Sequence, residues 1–314
     1  MITNIDIPGL ELLHRGKVRD SFRIDATRRL IVVTDRISAF DLKIKTPIPR
    51  KGEVLNRLAA FWFDETKAIV ENHLHAVVDP QAMVVTEATP IRVEMVVRGA
   101  ISGSMWRGYQ KGVRTFSGVT VGEGLTENAL LPEPIVTPTT KEESDREITP
   151  KEIVDTGLVS RATYVQMEQT ALALFQKGRD VAARRGLILA DTKYEFGLVG
   201  DALILIDEIH TPDSSRFWDR EAYDADPANV PSFDKEFVRK WMRRNQVSGE
   251  LPTVLPDDVV AETARRYATL FERVTGQSLG PAEDDAEARL LKNLVTARIL
   301  RDSKAPVSSR RGAS

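Results

Sequence analysis

The sequence of 314 residues contains no cysteine, which excludes a disulfide framework, a thiolate nucleophile and a cysteine-based zinc site. It also lacks any run of about 18 apolar residues, and its first ten residues do not form the basic and apolar regions of a signal peptide. We therefore expect a cytoplasmic protein without membrane contacts. The net charge of −2 lacks the basic excess that marks nucleic-acid binders, although a local basic pocket for a phosphorylated metabolite is compatible with it.

Alternating apolar residues dominate the first hundred positions, and this pattern predicts a sheet with one helix packed on it. We expect a hairpin with Gly16 near its turn, a buried strand at 30–33, an alternating strand at 91–97, and a helix over 54–63. Together these elements predict a β-rich first lobe over residues 1–114.

The remainder of the chain is predicted to mix helices with one hairpin. Thr149 and Glu152, with Pro150 between them, form a capping box at a helix start. The other predicted elements are a long helix at 160–185, a hairpin of 187–199 with 202–209, and helices at 232–244, 256–274 and 284–301. We expect a second α+β lobe over 115–302, with a disordered tail at 303–314.

Two glycine-containing stretches could bind phosphate. Gly16, Lys17 and Val18 place a lysine beside a tight turn, although an exposed hairpin lysine would give the same pattern and no Walker motif is present. Arg98 and Ser104 flank a glycine-rich stretch that follows a strand, where a phosphate cradle and a solvated loop are equally compatible with the sequence.

A charged stripe lies on one of the predicted strands. Asp191, Lys193 and Glu195 alternate and therefore share one face, which favours a wet cleft or a ligand over a core-facing surface. Asp207 follows the next apolar strand, and a carboxylate at that place is a typical Mg²⁺ ligand. The alternative is a surface hairpin with a charged stripe.

The register of this hairpin separates two arrangements of the carboxylates. A two-residue turn at 200–201 places Tyr194 opposite Asp207, whereas a three-residue loop at 200–202 places Glu195 opposite Asp207. If both acids bind one metal ion, we expect the longer loop or a bulge.

The stretch Thr211–Trp218 offers hydroxyl groups and the guanidinium of Arg216, which indicates a second anion-binding segment. No arrangement of Ser, His and Asp stands out, so nucleophilic hydrolysis has no specific support. His73 and His75 are interpreted as surface or turn residues and not as a metal pair.

These motifs occur in one order that resembles the SAICAR synthetase family of purine-pathway ligases. The motifs that carry the resemblance are Gly16–Asp20, Thr34–Asp41, Val97–Gly99 with Gly103 and Ser104, Asp191–Gly197, and Asp207 and Glu208 followed by Thr211–Trp218. The resemblance implies a two-lobed α+β fold, with an antiparallel, kinase-like nucleotide-binding lobe and an α/β substrate lobe that carries C-terminal helices. It also implies an ATP-dependent C–N ligase that joins L-aspartate to carboxyaminoimidazole ribonucleotide through an acyl phosphate.

The resemblance further implies roles for individual residues, with ATP and Mg²⁺ as cofactors. ATP would contact Gly16, Lys17, Val18 and Lys193, with its adenine on the backbone of Glu94–Val96. The catalytic residues would be Lys193, Glu195 and Asp207. Of these, Glu195 and Asp207 would bind Mg²⁺. Arg98, Ser104 and Arg216 would bind the 5′-phosphate, and Lys141, Asp145, Asp35 and Ser38 would lie near the imidazole substrate. The alternative functions are a small-molecule kinase and a non-catalytic nucleotide-binding module. The oligomeric state stays open, with a monomer as one option.

Overall fold

The first part of the chain forms a five-stranded antiparallel sheet with the spatial order β1-β2-β3-β7-β6. The structure is a computed structural model, and it describes residues 1–141 and 146–300. The elements in chain order are β1 (Glu11–Arg15), β2 (Arg19–Arg23), β3 (Arg28–Val33), β4 (Ser38–Ala39), β5 (Leu42–Lys43), α1 (Lys51–Thr66), β6 (Leu74–Asp79) and β7 (Ala82–Thr86). The hairpin around Gly16 and the helix predicted at 54–63 are both confirmed.

The second part is built on a sheet with the order β11-β8-β13-β14, to which β12 and β15 add by pairing with β8 and β13. Its elements up to the hairpin are β8 (Thr89–Ala100), α2 (Gly103–Gln110), β9 (Thr115–Phe116), β10 (Val119–Thr120), β11 (Leu130–Val136), β12 (Thr139–Thr140), α3 (Pro150–Asp155), α4 (Arg161–Arg184), β13 (Leu187–Val199) and β14 (Ala202–Ile206). The remaining elements are β15 (Ser215–Asp219), α5 (Arg220–Ala225), a 3₁₀ turn (Pro227–Asn229), α6 (Glu236–Arg244), α7 (Asp257–Thr275) and α8 (Ala286–Thr296).

Strands and helices therefore mix as expected for the predicted α+β class. The chain passes from the first sheet to the second between β7 and β8, at residues 87–88. The long strand β8 pairs with β13 although it precedes residue 114. The division into lobes at 114 stays a proposal, and the tail at 303–314 lies outside the described residues.

Helix ends follow the local sequence closely. Thr149 and Glu152 form the predicted capping box at the start of α3, and Gly276 ends α7 in the left-handed conformation with φ 72°. Helices α2 and α5 were not predicted, because both are short and α2 begins inside a stretch rich in glycine and serine. Short amphipathic segments give little periodicity to detect.

One continuous apolar core connects the two sheets. Helix α4 covers β8 and β13, while α1 packs between the first sheet and α7. The opposite face of the first sheet is covered by α8 and by the N-terminal residues Ile2, Ile5 and Ile7. The sheets are thus held in a fixed relation by shared side-chain packing, which positions the loops between them.

His210 lies at the centre of this core. It is fully buried, its Nε2 lies 2.6 Å from the hydroxyl of Tyr194, and its ring packs edge-to-face on Trp62. Gly178 on α4 gives the ring its space. His73 is also buried, so its interpretation as a surface residue is wrong: it lies just before β6, and its ring packs edge-to-face on Phe63.

We expect Gly178→Ala to lower the free energy of unfolding by about 1–2 kcal/mol, because overpacking outweighs the gain in helix propensity. A Cβ atom at this position would lie 2.4 Å from Cε1 of His210 and 2.7 Å from Cδ2 of Leu189. Urea unfolding measures the change. The control is Gly122→Ala, where no atom lies within 4 Å, and equal stability of both variants would contradict the packing argument.

Acid should destabilise the fold through His210, whose pKa burial lowers from 6.5 to about 3. The unfolded chain takes up a proton below pH 6.5 while the native histidine stays neutral, so stability is lost as pH falls below 6.5. From pH 7 to 5, His210→Gln should lose about 2 kcal/mol less than the parent protein in urea unfolding. Between pH 7 and 8 the stability difference between the two proteins should stay constant, and parallel curves down to pH 5 would refute this role.

Candidate functional site

A cavity of about 650 Å³ is lined by residues of both sheets, a volume suited to small-molecule ligands. Its walls come from the β1–β2 turn, the β7–β8 connection, β13, the end of β14, the loop before β15 and the start of α6. Most of the predicted site residues meet here. Those that line the cavity are Gly16, Lys17, Val18, Ser38, Glu94, Lys141, Lys193, Glu195, Asp207 and Arg216. Asp35, Val96, Arg98 and Ser104 do not line it, and Asp145 lies outside the described residues.

Lys193 lies between two buried carboxylates. Its Nζ is 2.7 Å from Oε1 of Glu94 and 3.4 Å from Oε1 of Glu195. Burial acts to lower the pKa of Lys193, but Glu195 and Glu94 outweigh it and raise the pKa, so the ammonium stays charged. Asp191 also lines the cavity, so the predicted charged face of β13 is directed into a cleft.

Glu195 and Asp207 act on each other through the cavity. Burial and the charge of Asp207 raise the pKa of Glu195, although Lys193 and Lys141 oppose the shift, and Lys141 also pairs directly with Glu195. Burial acts to raise the pKa of Asp207, but Arg19 reverses the shift and lowers it. Nη1 of Arg19 lies 3.2 Å from Oδ1 of Asp207. Both acids line the same cavity, where Arg19 pairs directly with Asp207 and Lys141 and Lys193 pair directly with Glu195.

The hairpin turn has two residues, so the longer loop that we expected for a shared metal site is wrong. Val199 pairs with Ala202 and Glu195 pairs with Ile206 without a bulge between these strands. Asp207 follows the last residue of β14 and adopts the left-handed conformation with φ 66°, which Asp tolerates better than most residues. Asp207 thus lines the same cavity as Glu195 from a left-handed residue just after the strand, and not through direct pairing with Glu195.

Two arginines flank Asp191 across the sheet, Arg98 from β8 and Arg216 from β15. Nη1 of Arg216 donates to Oγ of Ser102 at 2.8 Å and pairs with Asp191, while its Nε lies 3.3 Å from Oδ2 of Asp234. Arg98 donates to Oγ1 of Thr137 at 2.8 Å and to Oγ of Ser104 at 3.4 Å. The three residues that were predicted to bind a phosphate therefore lie near one another. Of these three, only Arg216 lines the main cavity.

The backbone of Glu94–Val96, which is predicted to contact adenine, lies within the second sheet. Glu94 pairs with Glu195 on one side and with Thr139 on the other, and the carbonyl of Val96 accepts from the amide of Thr137. The segment is therefore an inner part of the sheet, with neighbours on both edges. The β7–β8 connection, with Thr86, Ala88 and Pro90, lines the cavity instead.

Asp35 is buried and binds backbone amide groups, which its motif did not indicate. Its carboxylate is buried and accepts the backbone amides of Ile2 and Gly52, both at 2.9 Å. Burial raises the pKa of Asp35 against these hydrogen bonds. Asp35 thus stabilises the start of α1 and lies behind the cavity wall to which Ser38 contributes.

Sequence reasoning missed several charged residues of the site. Arg19 lies in the motif Gly16–Asp20, from which no role was predicted for it. It pairs with Glu208 as well as with Asp207. Asp213 accepts from Lys51 at 2.8 Å, from Lys235 at 2.9 Å and from the hydroxyl of Tyr267 at 2.9 Å. Of this network, only Asp213 lies in a stretch that the sequence had indicated as part of the site, Thr211–Trp218. Its other members come from three distant helices or helix starts.

Comparison with known proteins identifies the family. A sequence model described as SAICAR synthetase matches residues 12–254. The chain belongs to the SAICAR synthetase family. It is 43% identical over 305 residues to the phosphoribosylaminoimidazole-succinocarboxamide synthase of Cytophaga hutchinsonii, covering 94% of this chain and 98% of that protein. It is also 43% identical over 284 residues to the Bacteroides fragilis synthase, covering 88% of this chain and 90% of that protein.

Solved structures agree with this assignment. The SAICAR synthase from Saccharomyces cerevisiae complexed with SAICAR superposes with a TM-score of 0.79 at 35% identity, covering 90% of this chain and all of that chain. A SAICAR synthetase in complex with ADP superposes with a TM-score of 0.68 at 25% identity, covering 87% of this chain and all of that chain. The predicted family, α+β fold and ligase class are confirmed, and the kinase alternative is not favoured. In the described part of the chain, no helix has the length and apolar character to cross a membrane.

Proposed function

We propose that this cleft joins L-aspartate to 5-amino-1-(5-phosphoribosyl)imidazole-4-carboxylate, using ATP and releasing SAICAR, ADP and phosphate, in the cytoplasm. The observation that carries the proposal is one cavity, in a member of the SAICAR synthetase family, in which Lys193 lies between two buried carboxylates beside Asp207. A carboxylate is a poor electrophile, and phosphorylation turns its oxygen into a leaving group. Such a site needs aligned cations and no covalent nucleophile.

The phosphate groups of ATP fit the end of the cavity formed by the β1–β2 turn. Lys17 is half exposed, and its Nζ pairs with the exposed carboxylate of Asp41, at 2.5 Å. An exposed ion pair of this kind is weak and can be exchanged for a phosphate. Gly16 keeps the turn tight, since its amide donates to the carbonyl of Arg19 at 2.8 Å. Lys17, Val18 and Lys193 would bind the phosphates, with adenine beside the β7–β8 connection.

The donor set suits Mg²⁺, which the ATP reaction implies. Glu195 and Asp207 offer carboxylate oxygens to one cavity, and the described residues contain no cluster of three or more His, Asp or Glu side chains that would enclose an ion. Mg²⁺ is commonly held by one or two carboxylates plus substrate phosphates and water, so these two acids fit. When bound, the ion would neutralise charge on the phosphate oxygens.

The remaining residues fit the ribonucleotide. Arg216, with Arg98 and Ser104 behind it, would bind the 5′-phosphate, because guanidinium groups match phosphate oxygens in pairs. Lys141 and Ser38 line the cavity and would contact the imidazole end. Roles for Asp35 and Asp145 at the substrate remain predictions from family resemblance, and Asp35 would act through the position of α1.

The reaction is proposed in two steps that these side chains support. An oxygen of the imidazole carboxylate attacks the γ-phosphorus, ADP leaves, and an acyl phosphate forms. The amino group of L-aspartate then attacks the acyl carbon and loses a proton, while phosphate leaves as the amide bond forms. Lys17 and Lys193 would hold the phosphoryl oxygens in line and offset their charge, which is the main source of acceleration in phosphoryl transfer.

We expect ADP release to require both the carboxylated ribonucleotide and L-aspartate. A coupled assay for ADP, with each substrate omitted in turn, measures this dependence. Amide formation, followed as SAICAR by mass spectrometry, should match ADP release one to one. Equal ADP release without L-aspartate, together with a stable phosphorylated ribonucleotide, would indicate a kinase instead.

Asp207→Asn should reduce turnover by at least about 100-fold, because it removes a proposed metal ligand for phosphoryl transfer. Steady-state assays with thermal unfolding as a folding check measure the loss. The matched control is Asp201→Asn, an exposed acid in the turn of the same hairpin, which should keep normal turnover. Near-normal activity of Asp207→Asn would remove this residue from the site.

A further inference from the structure

His73 connects the two sheets beside the cavity. Its backbone amide donates to the carbonyl of Leu205 on β14 at 3.0 Å, next to a parallel bridge between Asn72 and Leu205. Its own carbonyl accepts from the amide of Thr86 on β7 at 2.8 Å. The residue is buried, with 3% of its surface exposed, and it lines the main cavity. Its imidazole is therefore fixed at the cavity wall, and none of the roles above uses it.

The imidazole of His73 has a polar partner in the backbone of Asp207. This hydrogen bond raises the pKa of the ring, and a bond with that effect is one that the ring donates. The buried Nε2 has no partner among the described residues, so the donor is Nδ1 and the acceptor is the carbonyl of Asp207. Burial outweighs the bond and lowers the pKa of His73 to about 4. The ring is thus neutral at pH 7, and its one N–H group is used by Asp207.

Packing alone does not explain an imidazole at this position. The ring lies edge-to-face on Phe63, with centroids 5.3 Å apart. A phenylalanine would keep such an aromatic contact, and it would avoid the cost of burying Nε2 without a partner. The feature that an apolar ring cannot supply is the hydrogen bond to Asp207.

Asp207 adopts a backbone conformation that needs support from its surroundings. Its φ is 66°, and residues other than glycine persist in this region where neighbouring groups fix them. The pairing of β14 with β13 ends at Ile206, so Asp207 lies just beyond the ladder of the sheet. Arg19 holds its carboxylate, with Nη1 3.2 Å from Oδ1, while the ring of His73 holds its backbone. The two contacts fix both parts of the residue.

We propose that His73 is a positioning residue for the reaction: it donates Nδ1–H to the carbonyl of Asp207, holds that residue in the left-handed conformation, and so keeps its carboxylate in place for Mg²⁺. The inference rests on the proposed function, in which Asp207 is a Mg²⁺ ligand. Hydrogen bonds behind a ligating group orient it, and their loss typically lowers metal affinity or activity about 10- to 100-fold. Because His73 acts on Asp207, its loss should change metal binding and leave the binding of L-aspartate unchanged.

The first test measures ADP binding by calorimetry, without ribonucleotide or L-aspartate and therefore without turnover. His73→Phe keeps an aromatic ring and removes the donor. Its Kd for ADP in the presence of Mg²⁺ should rise about 10-fold, while its Kd for ADP in EDTA should equal that of the parent protein. The matched control is His75→Phe, an exposed histidine two residues away, which should behave as the parent in both titrations. No weakening, or equal weakening with and without Mg²⁺, would overturn the proposal.

The second test separates the two ring nitrogens. In His73→Asn the amide nitrogen can take the place of Nδ1, whereas in His73→Gln it lies near the place of Nε2. His73→Asn should therefore regain part of the Mg²⁺-dependent ADP affinity that His73→Phe loses, and His73→Gln should not. Any other order of these two variants would overturn the assignment of Nδ1. If thermal unfolding shows that His73→Phe does not fold, His73→Gln replaces it in the calorimetry, since it also lacks a donor at Nδ1.

The third test uses steady-state kinetics. In His73→Phe the Mg²⁺ concentration for half-maximal turnover should rise about 10-fold, with an unchanged KM for L-aspartate. A raised KM for L-aspartate with unchanged Mg²⁺ dependence would overturn the proposal. Absence of aspartate-dependent ADP release in the parent enzyme would refute the proposed function, while the ADP titrations would still decide the role of His73. A parent enzyme that forms the amide but binds ADP equally with and without Mg²⁺ would keep the ligase function and overturn the role of His73.

Discussion

Glu94 and Glu195 face each other directly across the paired strands β8 and β13, and the arrangement of the cavity depends on this contact. Like charges opposite each other destabilise a sheet unless a cation lies between them. Lys193 contacts both carboxylates, and Lys141 adds a second cation to Glu195. The central sheet therefore carries a dense group of charges at its middle, and that group is stable only where it opens into a polar cavity.

Ion pairs also connect the two sheets at the cavity. Arg19 extends from β2 of the first sheet to Asp207 and Glu208 after β14 of the second, and Lys51 of α1 reaches Asp213 before β15. Partly or fully buried pairs of this kind are strongly coupled to their neighbours, because desolvated charges are poorly screened.

Much of the fold could be predicted from local patterns. The hairpin at Gly16, the capping box at Thr149 and the helix predicted at 256–274 depend on residues close in the chain, and all three are confirmed. The shared face of Asp191, Lys193 and Glu195 follows from strand alternation alone. By contrast, α2 was missed because its glycine and serine residues also suit a loop. The pairing of β8 on both edges could not be read from that one strand.

The sequence by itself determined the family, the order of most elements and the charged residue types of the cavity, because motifs and periodicity are local properties. The tertiary structure decided which of those residues meet. A left-handed residue at Asp207, and not the hairpin register, brings the second acid to Glu195, while Asp35 is turned inward to hold the start of α1. Lys51, Asp213, Tyr267 and Lys235 converge from segments far apart in the chain. Such long-range contacts depend on how helices and sheets pack, which no spacing within the sequence specifies.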